Sequence, residues 1–258
     1  MTISDPVGMP GSAWLQPDWC APASVCAVTT TRGGPGRSQP PFDRCNLGLR
    51  SGDEPAVVQA NREAVIAALE LRSFPCWLQQ VHGAEVVRVD AATPAGEPVA
   101  DAAVTRERGQ PLAILTADCL PVLFRGDAGD VVAAAHAGWR GLALGVLENT
   151  IAAMDVPAPR IAAWLGPCIG APSYEVGDEV REAFLTRDPR HAACFSPTRP
   201  GHWLCDLAGL ARRTLRAAGV DRIYGGGFDT FTDARFYSYR RDGVRSGRFA
   251  SLIWLDDA

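Results

Sequence analysis

The sequence predicts an α+β fold, a single domain of mixed β-sheets flanked by helices. Short apolar, β-rich segments outnumber helical segments and cluster in the middle of the 258-residue chain. The connections between these segments are too short for repeated βαβ crossovers, each of which needs about a dozen residues. Hydrophobic residues make up 47% of the chain, which is enough to bury a core between packed layers.

The predicted elements follow in chain order. We expect one domain over residues 1–258, with residues 1–20 as a loose, Pro- and Gly-spotted N-terminal segment. A first strand is predicted over 25–31 and a Gly/Pro-rich loop over 33–41, and Asp53 is the expected N-cap of a helix that reaches Leu71. Short apolar runs then predict six strands, at 76–81, 85–89, 100–105, 112–116, 121–124 and 131–136.

Helices and strands alternate in the second half of the chain. A helix is predicted after Gly141 to about Met154, a strand over 161–165, and a helix after Gly177 with Val180 and Phe184 facing inward. A further helix is predicted from its cap at Asp206 to about residue 218, and a last strand over 249–255. We see no linker between these elements, which favours one domain.

Charge and composition exclude several classes of protein. The net charge is −4, so nothing marks a binding surface for nucleic acid or an anionic membrane. All 25 basic residues are Arg, which removes Schiff-base lysines and the P-loop lysine. No apolar run approaches the ~18 residues of a membrane span, and no basic residue precedes Arg32, so we expect no secretory signal. The eight cysteines form no CxxC pair, and we expect a cytoplasmic protein with reduced thiols.

Three polar side chains fall where apolar strands end. His82 follows the predicted strand 76–81, Cys119 follows 112–116, and His136 ends 131–136. Functional side chains commonly collect at such strand ends. Two imidazoles and one thiolate are typical zinc ligands, and three protein ligands leave a fourth position for water or substrate. The sequence therefore predicts a catalytic zinc site.

Other interpretations of the same residues stay open. The separations of the three residues match no compact zinc-finger spacing, and a single His or Cys beside apolar strands is commonly a buried core residue. Cys119 could also be a thiolate nucleophile activated by His136, with Asp118 or His82 orienting the pair.

Ordered segments from about Val25 to Leu255 resemble one known family. The segments are Thr30-Thr31-Arg32-Gly33-Gly34, Asn46-Leu47-Gly48, Gln80-Val81-His82-Gly83, Thr116-Ala117-Asp118-Cys119-Leu120-Pro121, His136-Ala137-Gly138-Trp139-Arg140-Gly141, Gly166-Pro167-Cys168-Ile169-Gly170, Tyr174-Glu175-Val176-Gly177 and Ser238-Tyr239-Arg240-Arg241-Asp242. Together they resemble the YfiH-type family, long labelled polyphenol oxidase or laccase-domain protein. Its members are regarded as purine nucleoside phosphorylases, and some are described as peptidoglycan editing factors.

The resemblance implies a metal site and a substrate class. It implies that His82, Cys119 and His136 hold zinc, with copper as the second candidate metal. It also implies phosphorolysis of adenosine, inosine and S-methyl-5′-thioadenosine, deamination of adenosine, and an α+β fold. One departure is plain: Asp229-Thr230 stands where family members usually carry Cys-Thr, which puts substrate preference in doubt if that thiol shapes the pocket.

The remaining candidates concern phosphate and proton transfer. Arginine suits phosphate because its planar fork binds two oxygens at once. We favour Arg32 and Arg140, because glycines bracket both, over Arg240, Arg241 and Arg248. Asp118 is expected to orient a ligand or to move protons at the purine, and Asn46 is expected to line the pocket.

Three function classes stay open at this point. The first is the phosphorylase with deaminase activity, acting on small molecules, and the second is a Cys–His hydrolase, amidase or editing factor acting on peptidoglycan precursors. The third is a copper-dependent polyphenol oxidase. A multicopper mechanism needs several further histidines, and only His191 and His202 are left. The sequence carries no signal for an oligomeric state.

Overall fold

The computed structural model describes residues 13–93 and 96–256. The strands in this part of the chain are β1 (Trp14–Leu15), β2 (Val25–Thr30), β3 (Val86–Val89), β4 (Ala102–Thr105), β5 (Leu112–Thr116), β6 (Leu120–Gly126), β7 (Val132–Ala137), β8 (Ile161–Leu165), β9 (Glu175–Gly177), β10 (Phe195–Pro197), β11 (His202–Cys205), β12 (Arg222–Gly225) and β13 (Phe249–Leu255). The α-helices are α1 (Pro55–Ala68), α2 (Trp139–Leu144), α3 (Val146–Met154), α4 (Asp178–Leu185), α5 (Leu207–Ala217) and α6 (Tyr239–Asp242). Mixed sheets with flanking helices confirm the predicted α+β class.

Two large sheets form the centre of the fold. The first has the order β1-β2-β13-β5 and is antiparallel throughout. The second has the order β12-β8-β6-β7-β4-β3, with parallel pairs only at its two edges, β12 with β8 and β3 with β4. A third, small antiparallel sheet has the order β10-β11-β9. Direct antiparallel pairing of β6 with β7 agrees with the short connections in the sequence.

The two large sheets pack face to face. Ile114 and Phe249 of the first sheet share a buried apolar cluster with Leu123 and Val132 of the second. Successive side chains of a strand point to opposite faces, so neighbouring residues enter different layers. The apolar runs that the sequence shows in these strands are therefore buried on both faces.

Helices cover the two outer faces. Val65 of α1 packs with Val28 and Leu252 on the outer face of the first sheet. Leu147 of α3 and Leu210 of α5 belong to the cluster on the outer face of the second sheet. The layers are thus helix, sheet, sheet and helices. No helix among the described residues combines the length and hydropathy that a bilayer crossing requires.

Several predicted elements are confirmed. The strands over 161–165 and 249–255 have the predicted bounds. The Asp206 carboxylate caps α5 by accepting a hydrogen bond from the Gly209 backbone N–H. Val180 and Phe184 are the buried residues of α4, as its spacing predicts.

Other predicted elements need correction. Residues 76–81 form no strand, because they pair only at single points with two different partners, Cys76 with Leu112 and Gln79 with Val99. The structure has two helices where one was predicted after Gly141. The first, α2, begins at Trp139, and Gly145, with φ of +95°, separates it from α3.

The N-terminal half needs two further corrections. The N-cap of α1 is Glu54, not Asp53, whose carboxylate instead accepts hydrogen bonds from the Ser38 hydroxyl and the Asn46 amide. Of the segment predicted to be loose, residues 1–12 lie outside the described residues, whereas Trp14–Leu15 form the edge strand β1. The single-domain organisation over 1–258 stays a prediction.

Candidate metal centre

The fold brings His82, Cys119 and His136 together at one end of the central layers. Cys119 lies directly before β6, and His136 lies in β7, opposite Pro121 of β6. One potential ligand atom from each of the three residues lies within 4.8 Å of the other two. The Cys119 Sγ is 3.8 Å from the His82 Nε2. His136 is buried, Cys119 half-buried and His82 exposed, so the cluster is open on one side.

A buried carboxylate, Asp101, hydrogen-bonds to the side chain of His136 and to the backbone around His82. Its Oδ1 accepts hydrogen bonds from the His136 Nδ1–H at 2.8 Å and the His82 backbone N–H at 2.9 Å. Its Oδ2 accepts from the backbone N–H groups of Val81 at 3.1 Å and Gly83 at 2.7 Å. A hydrogen bond at Nδ1 leaves the His136 Nε2 as the free lone pair, which is a common arrangement for metal-ligating histidines.

The three side chains fit a zinc-type ion. Zinc bonds of about 2.3 Å to sulfur and about 2.0 Å to nitrogen place tetrahedral ligand atoms about 3.5 Å apart, close to the 3.8 Å between Cys119 Sγ and His82 Nε2. Gly138 borders the cluster, and a Cβ there would lie only 3.0 Å from the Cys119 Sγ and 3.0 Å from the His82 ring. The absence of a side chain at Gly138 thus keeps this space open.

The charges of the cluster favour an ionised Cys119 thiolate and a protonated His136 imidazolium. Burial disfavours the Cys119 thiolate, but His136 and His82 outweigh burial and lower the pKa of Cys119 to about 6. Burial likewise disfavours the His136 imidazolium, but Cys119 and Asp101 raise the pKa of His136 to about 9. By themselves the protein groups form a thiolate–imidazolium pair, and a cation that binds all three ligands must displace the His136 proton.

The backbone is strained on both sides of the cluster. His82 has φ of +60° and Asp118 has φ of +89°, in a region that residues other than glycine seldom adopt. The Asp101 carboxylate holds the backbone N–H of His82, and the Asp118 carbonyl accepts a hydrogen bond from the Ile169 N–H. Non-glycine residues held in this way cluster at functional sites.

A pocket of about 520 Å³ opens beside the three side chains. This volume lies within the range of small-molecule sites. Its lining mixes apolar side chains with four arginines. The lining residues outside the His-Cys-His cluster are Gly48, Leu49, Arg50, Ser51, Leu78, Gln80, Leu115, Thr116, Ala117, Asp118, Trp139, Arg140, Ile169, Tyr174, Leu207, Tyr239, Arg240 and Arg248.

The structure separates the predicted phosphate-binding residues. Arg140 lines the pocket, and its guanidinium lies 4.4 Å from the centre of the Trp139 ring. Arg32 is not among the lining residues, because its guanidinium donates to the Asp43 carboxylate at 3.3 Å and to the Asp43 carbonyl. Direct contact of Arg32 with a molecule in this pocket is therefore not supported.

Asn46 is also displaced from the pocket lining. It is fully buried, and its Oδ1 accepts hydrogen bonds from the backbone N–H groups of Gly48 and Arg248, both of which line the pocket. Asn46 therefore supports the pocket from behind.

Asp118 lines the pocket, but it hydrogen-bonds to neither histidine among the described residues. Its Oδ1 accepts from the Thr230 hydroxyl at 2.6 Å, and its Oδ2 accepts from the Arg240 backbone N–H at 2.6 Å. The carboxylate that hydrogen-bonds to a histidine of the cluster is Asp101 instead. Asp118 joins the start of β6 to the segment that carries Arg240.

Asp229 marks the departure from the family pattern that the sequence indicates, and its carboxylate contacts a neighbouring turn. Its carboxylate accepts hydrogen bonds from the Gly170 and Phe231 backbone N–H groups and from the Ser173 hydroxyl at 2.6 Å. It is not a pocket-lining residue. Asp229 therefore fastens the turn at 170–173, which leads to the pocket residue Tyr174.

Sequence reasoning missed Asp101, although a signal existed. The apolar run at 100–105 contains this single carboxylate, and an ionised group in such a run needs a specific set of donors. Arg50 and Tyr239 were missed without any comparable signal, because only the folded chain brings their segments to the pocket.

Comparisons with known proteins show what this chain is similar to. The profile of a family described as "Multi-copper polyphenol oxidoreductase laccase" matches residues 26–256. A Xylella fastidiosa (strain 9a5c) protein named "Purine nucleoside phosphorylase" is 52% identical over 251 residues, covering 93% of this chain and 96% of the relative. An Escherichia coli (strain K12) protein named "Purine nucleoside phosphorylase YfiH" is 46% identical over 245 residues, covering 95% and 99%. A crystal structure of a Neisseria meningitidis protein matches with a TM-score of 0.91 at 48% identity, covering 95% of this chain and 100% of that one. The resemblance stated from the sequence is confirmed.

Proposed function

This chain belongs to the multi-copper polyphenol oxidoreductase laccase family, and we propose that it is a metal-dependent purine nucleoside phosphorylase. The observation that carries the proposal is the His82, Cys119 and His136 cluster, open to a pocket lined by four arginines. Relatives at 52% and 46% identity that match this chain over nearly its whole length bear the name of that activity.

The reaction needs a nucleoside and a phosphate ion to bind side by side in this pocket. Phosphorolysis breaks the bond between the sugar C1′ and the purine N9, and a phosphate oxygen forms the new bond to C1′. The departing base takes up a proton at a ring nitrogen. Arginine fits the phosphate because its fork pairs with two oxygens, and four arginines, among them the predicted Arg140, line this pocket. The apolar side chains of Leu78, Leu115 and Ile169 suit the faces of the base.

His82, Cys119 and His136 would hold zinc through two imidazole nitrogens and one thiolate, with copper as the second candidate metal. When bound at such a three-ligand site, zinc acts as a Lewis acid and lowers the pKa of a water molecule bound to it to ~7. Asp101 orients His136 for this role. Asp118 is proposed to hold the Arg240 segment of the pocket through the Arg240 backbone N–H. It is also proposed to lie beside the bound base and to transfer a proton to or from it.

The proposed substrates are inosine, adenosine and S-methyl-5′-thioadenosine, with deamination of adenosine as a second activity of the same pocket. Attack of water on the purine C6 resembles the chemistry of zinc nucleobase deaminases, although their H-x-E and P-C-x-x-C signature is missing from this sequence. The cytoplasmic location stays a prediction.

The name of the family implies several copper ions, and the arrangement of potential ligands argues against multicopper chemistry here. His191 and His202 are the only other histidines, and their Nδ1 atoms contact the backbone carbonyls of Phe184 and Pro200. In the described part of the chain, His82, Cys119 and His136 form the only group of three or more potential ligands. If the protein is a polyphenol oxidase instead, it would have to work with a single copper ion at this site.

The test is incubation of zinc-loaded protein with inosine or adenosine, with and without phosphate, and separation of products by chromatography. We expect free base and ribose 1-phosphate only with phosphate, and loss of both products in Cys119→Ala. The matched control is Cys20→Ala, because Cys20 is an exposed cysteine outside the pocket. No nucleoside turnover by metal-loaded protein would contradict the proposal.

A chelator separates this proposal from the Cys–His hydrolase or peptidoglycan-editing alternative. The phosphorylase should lose activity with a chelator and regain it with zinc. A hydrolase that relies on the Cys119 thiolate should resist the chelator and lose activity on alkylation.

A further inference from the structure

Four arginines, Arg50, Arg140, Arg240 and Arg248, line the pocket, and each has a contact within the protein. Arg50 pairs with Glu97 at 2.7 Å. The Arg140 guanidinium lies over the Trp139 ring, and Arg240 donates to a backbone carbonyl at 3.1 Å. All three are exposed at the pocket rim. An exposed arginine is well solvated, so binding an anion there yields little net free energy.

Arg248 differs from the other three. It is half-buried, and in the described structure its guanidinium donates only to the backbone carbonyls of Ser246 and Gly247, without a carboxylate in contact. Burial lowers the pKa of Arg248, whereas the negative charges of Cys119 and Asp118 oppose that effect. A partly desolvated guanidinium without a bound carboxylate favours an anionic partner.

The main chain and the stem of Arg248 are fixed before any ligand arrives. Its backbone N–H donates to the buried Asn46 Oδ1 at 2.9 Å, and its carbonyl accepts from the Leu47 N–H at 3.0 Å. Gly48 lies against the stem so closely that a Cβ at Gly48 would be 2.7 Å from the Arg248 Cγ. An ordered stem lowers the side-chain entropy lost when the fork binds a ligand.

A hydroxyl without a hydrogen-bond partner lines the same pocket as Arg248. Thr116 lines the pocket and is only 2% exposed, and its Oγ1 has no hydrogen-bond partner among the described residues. Thr116 pairs with Phe249 in the ladder between β5 and β13, one residue beyond Arg248. A buried hydroxyl without a partner costs stability, and a ligand oxygen would remove that cost.

We propose that Arg248 and Thr116 form the subsite for inorganic phosphate in this pocket, with Asn46 and Gly48 as residues that position Arg248. The guanidinium fork pairs with two phosphate oxygens, and the Thr116 hydroxyl donates to one of them. The subsite rests on the proposed phosphorolysis for its role, and it moves the main phosphate contact from Arg32 and Arg140, which the sequence favours, to Arg248.

Calorimetric titration of zinc-loaded protein with inorganic phosphate tests the subsite without relying on turnover. Arg248→Met keeps the length of the stem and removes the charge, and it should weaken phosphate binding about 10–100-fold, as expected for lost charged hydrogen bonds. Thr116→Val should weaken binding about 2–10-fold. The matched control is Arg245→Met, which removes an exposed arginine of the same turn outside the pocket and should leave binding unchanged.

A second variant distinguishes the loss of a phosphate contact from a general loss of folding. Arg248→Lys keeps a positive charge without the fork, and it should bind phosphate more weakly than wild type and more tightly than Arg248→Met. Zinc content and melting temperature are measured for every variant. Wild-type phosphate affinity in folded Arg248→Met or Arg248→Lys, or wild-type protein that binds no phosphate, would overturn the subsite.

Steady-state kinetics separates the subsite from the proposed function. If phosphorolysis occurs and Arg248→Met raises the KM for phosphate but not the KM for inosine, the subsite is supported. If phosphorolysis occurs with an unchanged KM for phosphate, the subsite is refuted and the phosphorylase stands. If no nucleoside is turned over but phosphate binding depends on Arg248, the phosphorylase fails and the subsite stands.

Discussion

Replacing Asp101 by Asn tests the role of the buried carboxylate in a nearly isosteric way. The carboxylate accepts four hydrogen bonds, two at each oxygen, from the His136 imidazole and from three consecutive backbone N–H groups. An asparagine has one oxygen and one NH₂ group. In either orientation of the amide, two of the four donors therefore lose their acceptor and face another donor.

The expected loss can be worked from this geometry. Each donor that is left without an acceptor costs about 1–3 kcal/mol of stability. For a chain of this size, the melting temperature falls by about 2–4 °C per kcal/mol. Changes to a group that orients a metal-ligating histidine typically cost about 10–100-fold in metal affinity, which corresponds to about 1.4–2.7 kcal/mol.

The assay is zinc affinity by competition with a chromophoric chelator, together with the melting temperature of metal-free and zinc-loaded protein. Asp233→Asn is the matched control, because Asp233 also accepts a backbone hydrogen bond and pairs with Arg235, but lies outside the pocket. That control should lose some stability and keep its zinc affinity. Wild-type zinc affinity in Asp101→Asn would refute the reasoning, since the carboxylate would then not orient the ligands.

Three further predictions concern the same site and one helix. Zinc binding at pH 7 should release about one proton, from His136 with its pKa near 9, because Cys119 with its pKa near 6 is already largely ionised. Zinc affinity should therefore fall as the pH falls, and more steeply below pH 6, where the Cys119 proton must also leave. Titration calorimetry in buffers of different ionisation enthalpy counts the released protons. A number of released protons that does not change with pH would contradict the assignment of these protons to His136 and Cys119. Gly138→Ala has a backbone that tolerates alanine, with φ of −62°, but places a methyl 3.0 Å from the Cys119 Sγ, so zinc affinity should fall about tenfold with little change in metal-free stability. Asp206→Ala removes the cap of α5 and should cost about 0.5–2 kcal/mol in denaturant unfolding without changing zinc affinity.

Elements with strong local signals were predictable from the sequence. The strand over 249–255 and the cap at Asp206 depend on apolar run length and on one side chain beside its own helix. Residues 76–81 look equally strand-like, but their partners lie in two different segments, so local pattern could not reveal that no ladder forms. Short strands such as β9 and β12 have too few residues for any periodicity to stand out.

The sequence by itself determined the fold class and singled out three candidate metal ligands that the structure brings together. His82, Cys119 and His136 are chemically distinctive residues at the ends of apolar strands, and scarce histidines leave few alternatives. Only the tertiary structure decided which carboxylate contacts the candidate ligands and which arginines line the pocket. Asp101 rather than Asp118 reaches His136, and Arg248 rather than Arg32 enters the pocket, because hydrogen bonds to specific backbone and side-chain groups fix where each side chain lies. Many aspartates and arginines are equivalent in sequence, and only the pairing of distant segments decides which of them lie beside the site.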